Sequence, residues 1–252
     1  MHITLTGNLG SGKSTVCKLL EQKYGYEIFS TGKIIRQIAD ELGVSVLEMN
    51  ELMSRDHKYD KMIDEASGRI SRENPDKNIL FDSRLAWNFV ERSFKVFLSV
   101  DLSVAAERVY NDAARGKVER YASVADAREQ LRERAANEDR RYEGLYGIHY
   151  FDYMNYDLVL DSSYAPPELV AQALFSEAKR GAESAETGRM LLSPKRLGYA
   201  WTCPLRTEAP FYPEAEIVVA PEGDGFRICG GEDIVKKAAA DGMPYVAARL
   251  AK

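Results

Sequence analysis

A glycine-rich run close to the start of the sequence constrains the fold of this chain more than any other feature. Residues 7–14 have the sequence GNLGSGKS, which matches the pattern G-x-x-x-x-G-K-[ST] without a gap. A short apolar strand pattern, HITLT, precedes the run, and apolar residues at helical spacing follow it. Such loops turn successive backbone N–H groups towards phosphate, and the following helix adds the positive end of its dipole. We therefore predict a strand–loop–helix unit that binds a nucleotide.

The side chains of this run have distinct expected tasks. Lys13 is expected to contact the β- and γ-phosphates of ATP, and the Ser14 hydroxyl is expected to hold Mg²⁺. A glycine turn without function is the alternative interpretation, and the strand before the run and the helix after it argue against that alternative. The candidate ATP-binding residues are Gly7, Asn8, Leu9, Gly10, Ser11, Gly12, Lys13, Ser14 and Thr15.

Strand patterns alternate with helical patterns up to about residue 178. The predicted strands are Met1–Thr6, Tyr26–Phe29, Asn78–Asp82, Phe94–Val100 and Tyr156–Leu160. Strands that are separated by helices favour an α/β fold, here a five-stranded parallel sheet with flanking helices. The carboxyl ends of parallel strands meet at one edge of the sheet, and we expect the ligand site there.

The character of the chain changes after this region. Residues 179–190, KRGAESAETGRM, are polar and have no apolar periodicity, which predicts a linker. Residues 191–252 contain short strand patterns and one helical pattern, EDIVKKAAADG, which predict a small α+β module. We therefore expect residues 1–178 to form a complete nucleotide-binding unit that does not need the module.

Composition and charge exclude several classes of protein. A hydrophobic content of 45% argues against disorder, and a net charge of -5 argues against general nucleic-acid binding. No apolar run approaches the ~18 residues of a membrane helix, and the first residues lack the basic start of a signal peptide. Three scattered cysteines and three scattered histidines favour neither a disulfide framework nor a metal cluster. These features predict a cytoplasmic protein without membrane partners.

Further segments, taken in order with the glycine run, resemble the cytidylate kinase-like family of P-loop nucleoside monophosphate kinases, and its short, archaeal-type members most. These segments are FSTGKIIRQIA, LFDSRLAW, RAANEDRRYEGLYGI and YDLVLDSS. The resemblance covers about residues 1–178. It implies a P-loop kinase core that uses ATP and Mg²⁺ to phosphorylate a nucleoside monophosphate, with CMP or dCMP as the expected acceptor.

The resemblance also implies tasks for individual side chains. Lys13, Arg134 and Arg141 would be catalytic, because they would neutralise charge on the transferred phosphoryl group. Arg134 and Arg141 are seven residues apart, a spacing that brings both to one face of a helix. Asp82 would lie near Mg²⁺ or near the acceptor. The implied acceptor-binding residues are Ser30, Gly32, Arg36, Asp82 and Arg84.

Alternatives to this assignment remain open at several positions. Arg36 alone is also compatible with a solvated helix residue, and Arg84 alone with an ion pair. Ser83 replaces the glycine of the family pattern and Asn137 replaces its serine, which leaves the preferred base open. The chain lacks the N-K-x-D motif of a GTPase. The competing functions are a P-loop nucleotide sensor whose C-terminal module recruits a protein partner, and a kinase of another small acceptor.

The C-terminal module carries a second, weak resemblance. The segment GFRICGGEDIVKKAAADGMPYVAARL is similar to a run in the small ParB-like module. Glu232 and Ile234 stand where those proteins usually have His and Arg. The resemblance therefore implies no catalytic or nucleotide-binding role here. A docking or regulatory appendage is the predicted role, and a stabilising cap is the alternative.

Overall fold

The computed structural model of the chain describes residues 1–44, 48–49, 52–53, 58–112, 121–183 and 188–251. The strands are β1 His2–Gly7, β2 Glu27–Ser30, β3 Ile79–Asp82, β4 Ser93–Ser99, β5 Leu158–Asp161, β6 Arg189–Leu192, β7 Glu216–Glu222, β8 Gly225–Gly230 and β9 Val246–Leu250. The helices are α1 Lys13–Tyr24, α2 Thr31–Leu42, α3 Lys58–Glu73, α4 Ala86–Phe89, α5 Leu102–Asn111, α6 Val124–Tyr146, α7 Pro167–Glu183 and α8 Glu232–Ala240.

One mixed sheet forms the centre of the molecule, with the strand order β2-β3-β1-β4-β5-β6-β9-β7-β8. The five predicted strands, β1 to β5, all run parallel, which confirms the predicted parallel sheet, and β6 adds a sixth parallel strand next to β5. β1 lies between β3 and β4, where Leu5 is level with Asp82 and Gly7 is level with Leu98. The carboxyl ends of these strands therefore meet at one edge, next to the loop that follows β1.

Helices cover both faces of the parallel part of the sheet, and β1 and β5 are therefore buried along their whole length. On one face, α1 and α7 contribute Val16, Leu20 and Leu174 to a core that also contains Leu5 and Leu98. The opposite face is covered by a partly aromatic cluster that includes Trp87, Phe97, Tyr150 and Tyr156. No helix within the described ranges is both long enough and apolar enough to cross a membrane.

The linker expected at 179–190 is corrected by the structure. α7 continues to Glu183, and β6 begins at Arg189 and pairs in parallel with β5. Residues 184–187 of the expected linker lie outside the described part of the chain. Gly181 packs under Phe94 so closely that a Cβ at this glycine would lie 2.5 Å from the aromatic ring. The small residues that weaken the apolar pattern therefore allow close packing of the helix on the sheet.

Residues 193–251, hereafter the C-terminal extension, continue the same sheet. β9 pairs antiparallel with β6, β7 pairs parallel with β9, and β8 pairs antiparallel with β7. Buried polar contacts also join the two parts, because Asp161 accepts a hydrogen bond from the Ser193 N–H at 3.1 Å and pairs with Arg196 at 3.2 Å. The extension has the predicted α+β content, but its strands lengthen the sheet of the first part, and the boundary at 178 falls inside α7.

Candidate active site

The glycine-rich loop connects β1 to α1 and is held against the end of β4. A Cβ at Gly7 would lie 2.2 Å from the Leu98 carbonyl oxygen, so this close approach requires glycine. The Asn8 N–H donates to the same oxygen at 3.1 Å, and its side-chain oxygen accepts from the Val100 N–H at 3.1 Å. No side chain caps the amino end of α1. Its first N–H groups therefore remain available for an anionic ligand.

Lys13 lies at the start of α1 and turns its side chain back onto the loop. Its Nζ donates to the carbonyl oxygens of Gly7 at 3.0 Å and Asn8 at 3.2 Å. Desolvation of the ammonium group and the nearby Arg84 guanidinium lower the pKa of Lys13 to about 7. A polyphosphate in this loop would reverse that effect, because an adjacent anion favours the charged form of the amine.

The loop forms one wall of a cleft of about 760 Å³ at the carboxyl edge of the sheet. The cleft brings together residues from the loop, from the start of α2, from the end of β3 and from α6. The predicted site residues that line it are Leu9, Gly10, Ser11, Gly12, Lys13, Ser14, Thr15, Ser30, Gly32, Arg36, Asp82, Arg84 and Arg134. Gly7 and Asn8 take part through the backbone contacts described above.

A charged cluster beside Lys13 joins β3 to α6, and Arg84 Nη1 donates at 2.5 Å to the same Gly7 carbonyl oxygen that Lys13 contacts. Glu138 accepts from Arg84 Nε at 3.0 Å, from Arg134 Nε at 3.3 Å and from the Tyr150 hydroxyl at 3.2 Å. Burial alone raises the pKa of Glu138, but the two guanidinium groups outweigh it and lower that pKa overall. Burial likewise lowers the pKa of Arg84, but the Glu138 carboxylate, with smaller contributions from Tyr150, Tyr142 and Asp82, outweighs it, so the pKa of Arg84 is raised. Arg84 is therefore held as a cation at the cleft.

The expected acceptor side of the cleft is organised around Asp82, at the end of β3. The Ser30 hydroxyl donates to Asp82 Oδ2 at 3.2 Å, and the Thr31 hydroxyl donates to the Asp82 carbonyl oxygen at 3.3 Å. A Cβ at Gly32 would lie 3.8 Å from Arg36 Nη1, so the glycine lies beside this guanidinium group. Hydrogen bonds between β2, α2 and β3 thus bring the predicted acceptor residues to one place.

Arg141 differs from the other predicted catalytic residues. It lies on α6 two turns after Arg134, and its guanidinium carbon is 5.7 Å from the ring centre of Tyr142. It is not among the residues that line the cleft. The spacing of seven residues places both arginines on related faces of α6. The structure nevertheless brings Arg134 alone into the cleft lining.

Two residues of the site were missed by the sequence prediction. Arg108, on α5, donates to the carbonyl oxygens of Ser162 at 2.7 Å and Ser163 at 3.1 Å, and it lines the cleft. Nothing in the local sequence distinguishes Arg108 from the other charged residues of its helix. Glu138, in contrast, carried a signal, because in the segment RAANEDRRY it stands at the acidic position of the family pattern R-x-x-S-E-x-x-R-Y.

The donor chemistry of the cleft fits a magnesium ion. Ser14 and Asp82 both line it and offer a hydroxyl and a carboxylate oxygen, which are ligands that Mg²⁺ accepts. The described residues contain no group of three or more His, Cys, Asp or Glu that would hold a metal without help. This donor set suits an ion that takes most of its ligands from phosphates and water.

A phosphate loop next to a second basic cluster at the carboxyl edge of a parallel sheet defines a P-loop phosphotransferase. The model of the cytidylate kinase-like family matches residues 2–164. The chain therefore belongs to this family, as the sequence segments predicted, and it is a nucleoside monophosphate kinase.

Curated relatives named cytidylate kinase match over most of their own length. The protein of Methanocella arvoryzae is 34% identical over 175 residues, which are 69% of this chain and 95% of the relative. The protein of Natronomonas pharaonis is 34% identical over 191 residues, 75% of this chain and 95% of the relative. An uncharacterised protein from Eubacterium ventriosum aligns with a TM-score of 0.51 at 14% identity, over 71% of this chain and 98% of that chain. This last likeness supports the fold alone.

Proposed function

We propose that the protein transfers the γ-phosphoryl group of ATP to CMP or dCMP, which yields ADP and the pyrimidine nucleoside diphosphate. The observation that carries the proposal is one cleft that is lined by Lys13 and Ser14 and by a second set of cations, Arg36, Arg84 and Arg134. One set suits the phosphates of the donor, and the other set suits the phosphate of an acceptor.

Catalysis in this cleft rests on positioning and on charge. Backbone N–H groups at the amino end of α1 and the Lys13 ammonium hold the donor phosphates, and Arg84 and Arg36 hold the acceptor phosphate. The two ends of the cleft then keep the acceptor oxygen in line with the γ-phosphorus. Arg134 offsets the negative charge of the transferred group. Ser14 and Asp82 would hold Mg²⁺, which would supply positive charge to offset the negative charge of the phosphates.

Glu138 orders the two arginines of the cleft. Its carboxylate accepts from the Nε atom of Arg84 and from the Nε atom of Arg134. A dianionic phosphate, which can make bidentate contacts to arginine, would compete with this carboxylate. Glu138 therefore keeps Arg84 and Arg134 close together at the cleft.

A cytosine base is proposed on the strength of the relatives, which are named cytidylate kinase. Ser83 departs from the family pattern, but its side chain is buried and does not line the cleft, while its carbonyl oxygen accepts from the Thr6 hydroxyl at 3.0 Å. This position supports a structural role for Ser83. The substitution thus leaves the proposed acceptor unchanged.

A coupled ADP-release assay with CMP, dCMP, UMP, AMP and no acceptor tests the proposal. We expect the highest kcat/KM with CMP or dCMP and little ADP release without an acceptor. A preference for AMP or UMP would reject the proposed base. ADP release that does not depend on any acceptor, or ATP binding without turnover, would instead support the nucleotide-sensor alternative.

A further inference from the structure

The turn between β7 and β8 connects the C-terminal extension to α6 through one carboxylate. Asp224 Oδ2 accepts from Arg132 Nη2 at 2.8 Å and from Arg128 Nη2 at 3.2 Å. The two arginines are four residues apart, so they lie one above the other on the same face of α6. Asp224 therefore holds two successive turns of this helix.

The same helix carries the cationic side of the cleft. Arg134 lies two residues after Arg132, which rotates it by about 200° around the helix axis and directs it to the opposite side. On that side Arg134 lines the cleft and pairs with Glu138. α6 thus lies between the extension and the cleft, and its rotation couples Asp224 to Arg134.

The contact of Asp224 with α6 spans a groove. A groove of about 530 Å³ lies beneath it, between α6, the phosphate loop and the β7–β8 turn. Residues that line this groove include Leu9, Leu131, Ala135, Tyr153, Pro221 and Leu250. Apolar packing near the bridge is therefore incomplete, and a charged contact sets the distance between the turn and the helix.

We propose that Asp224 is a positioning residue for phosphoryl transfer, which acts by fixing α6 so that Arg134 points into the cleft. This inference rests on the proposed function. The family model ends at residue 164, so the bridge is a contribution of the extension to a site that the first part of the chain carries. A small shift of α6 lowers the rate because transfer requires close alignment of the reacting groups.

Asp224→Asn tests the proposal in the full-length protein. We expect kcat to fall about fivefold, while KM for ATP stays within about twofold. The fivefold factor corresponds to the upper end of the free energies that exposed ion pairs contribute. Asp224→Glu is expected to retain more activity than Asp224→Asn because it keeps the carboxylate. High salt is expected to lower kcat of the unmodified protein towards that of Asp224→Asn, since salt screens exposed pairs.

Glu222→Gln is the matched control. Glu222 lies in the same hairpin, and it pairs with Arg227 at 3.2 Å rather than with α6. Amide hydrogen exchange of residues 124–146 is the readout that does not depend on activity, and we expect it to be faster in Asp224→Asn and unchanged in Glu222→Gln. Arg132→Gln removes the shorter of the two contacts from the other side and is expected to reproduce part of the effect of Asp224→Asn.

Equal kcat and equal exchange in Asp224→Asn and Glu222→Gln would overturn the proposal. The same holds if Asp224→Asn lowers only the melting temperature and Arg132→Gln leaves kcat unchanged. An unmodified protein that transfers no phosphoryl group would refute the proposed function, and unchanged exchange in α6 would then separately refute the positioning role.

Discussion

Replacing Arg196 with methionine removes the positive half of a buried ion pair between the C-terminal extension and β5. The Arg196 side chain is 3% exposed and lies 3.2 Å from Oδ1 of the fully buried Asp161. It also donates to the Ser99 hydroxyl oxygen at 2.6 Å, and its guanidinium carbon lies 5.0 Å from the ring centre of Phe226. Methionine fills much of the same apolar space but cannot donate a hydrogen bond. The variant thus leaves the carboxylate buried without its cation.

The size of the expected loss of unfolding free energy depends on the hydrogen bonds that Asp161 retains. Removal of one partner from a buried pair costs roughly 3–5 kcal/mol of unfolding free energy. Asp161 keeps hydrogen bonds from the N–H and the hydroxyl of Ser163 and from the N–H of Ser193. We therefore expect the lower end of the range, about 3 kcal/mol. For a chain of this length that loss corresponds to a fall in Tm of about 6–12 °C.

Urea unfolding followed by circular dichroism measures this loss. Arg227→Met is the control, because the pair of Arg227 with Glu222 is more than half exposed on both sides, and we expect it to cost less than about 1 kcal/mol. The double variant Asp161→Asn with Arg196→Met is expected to regain part of the lost stability, since no unpaired charge then remains buried. An Arg196→Met protein as stable as Arg227→Met would refute the reasoning.

Three further predictions concern the cleft and the domain boundary. Lys13→Ala is expected to abolish transfer in a folded protein and to remove the proton uptake that accompanies ATP binding near pH 8. The unmodified protein is expected to take up a proton because a pKa of about 7 leaves Lys13 mainly neutral at pH 8 until bound phosphate raises that pKa. Calorimetry in buffers of different ionisation enthalpy measures the proton uptake. Arg36→Ala and Arg84→Ala are expected to raise the acceptor KM at least tenfold, with ATP affinity little changed; a fall in ATP affinity would place these residues at the donor end. A chain that ends at residue 178 is expected to be insoluble or unfolded, because it lacks β6 and loses the ion pairs of Asp161 with Arg196 and of Glu177 with Arg189. A cooperative thermal unfolding transition of this truncated chain would contradict a core shared by both parts.

The parts of the site that could be predicted from the sequence depend on local patterns. The glycine run needs a strand before it and a helix after it, and both are short-range features that the sequence displays. Ser30 ends β2, and Gly32 and Arg36 follow it on α2. Asp82 ends β3, and Arg84 follows it, so the rule that parallel strands end at one edge was sufficient to bring these residues together. Their place in the cleft lining agrees with that rule.

The parts that could not be predicted depend on distant partners. The ion pair of Glu138 with Arg84 joins residues that are 54 positions apart in the sequence, and its geometry follows from the packing of α6. The spacing of seven residues between Arg134 and Arg141 predicted that both lie on one face of the helix. Of these two arginines, however, only Arg134 lines the cleft. β6 consists of only four residues, and it is a strand because it pairs with β5 on one side and with β9 on the other. Local composition does not encode these pairings.

The fate of the γ-phosphoryl group shows whether the protein phosphorylates CMP or dCMP. The full-length protein is incubated with Mg²⁺, CMP or dCMP, and ATP that is labelled in its γ-phosphoryl group, and the nucleotides are then separated. Our account predicts that the label appears in the β-phosphoryl group of CDP or dCDP, and that Lys13→Ala forms no labelled diphosphate. Label that stays in ATP, or that appears only as inorganic phosphate, would contradict it.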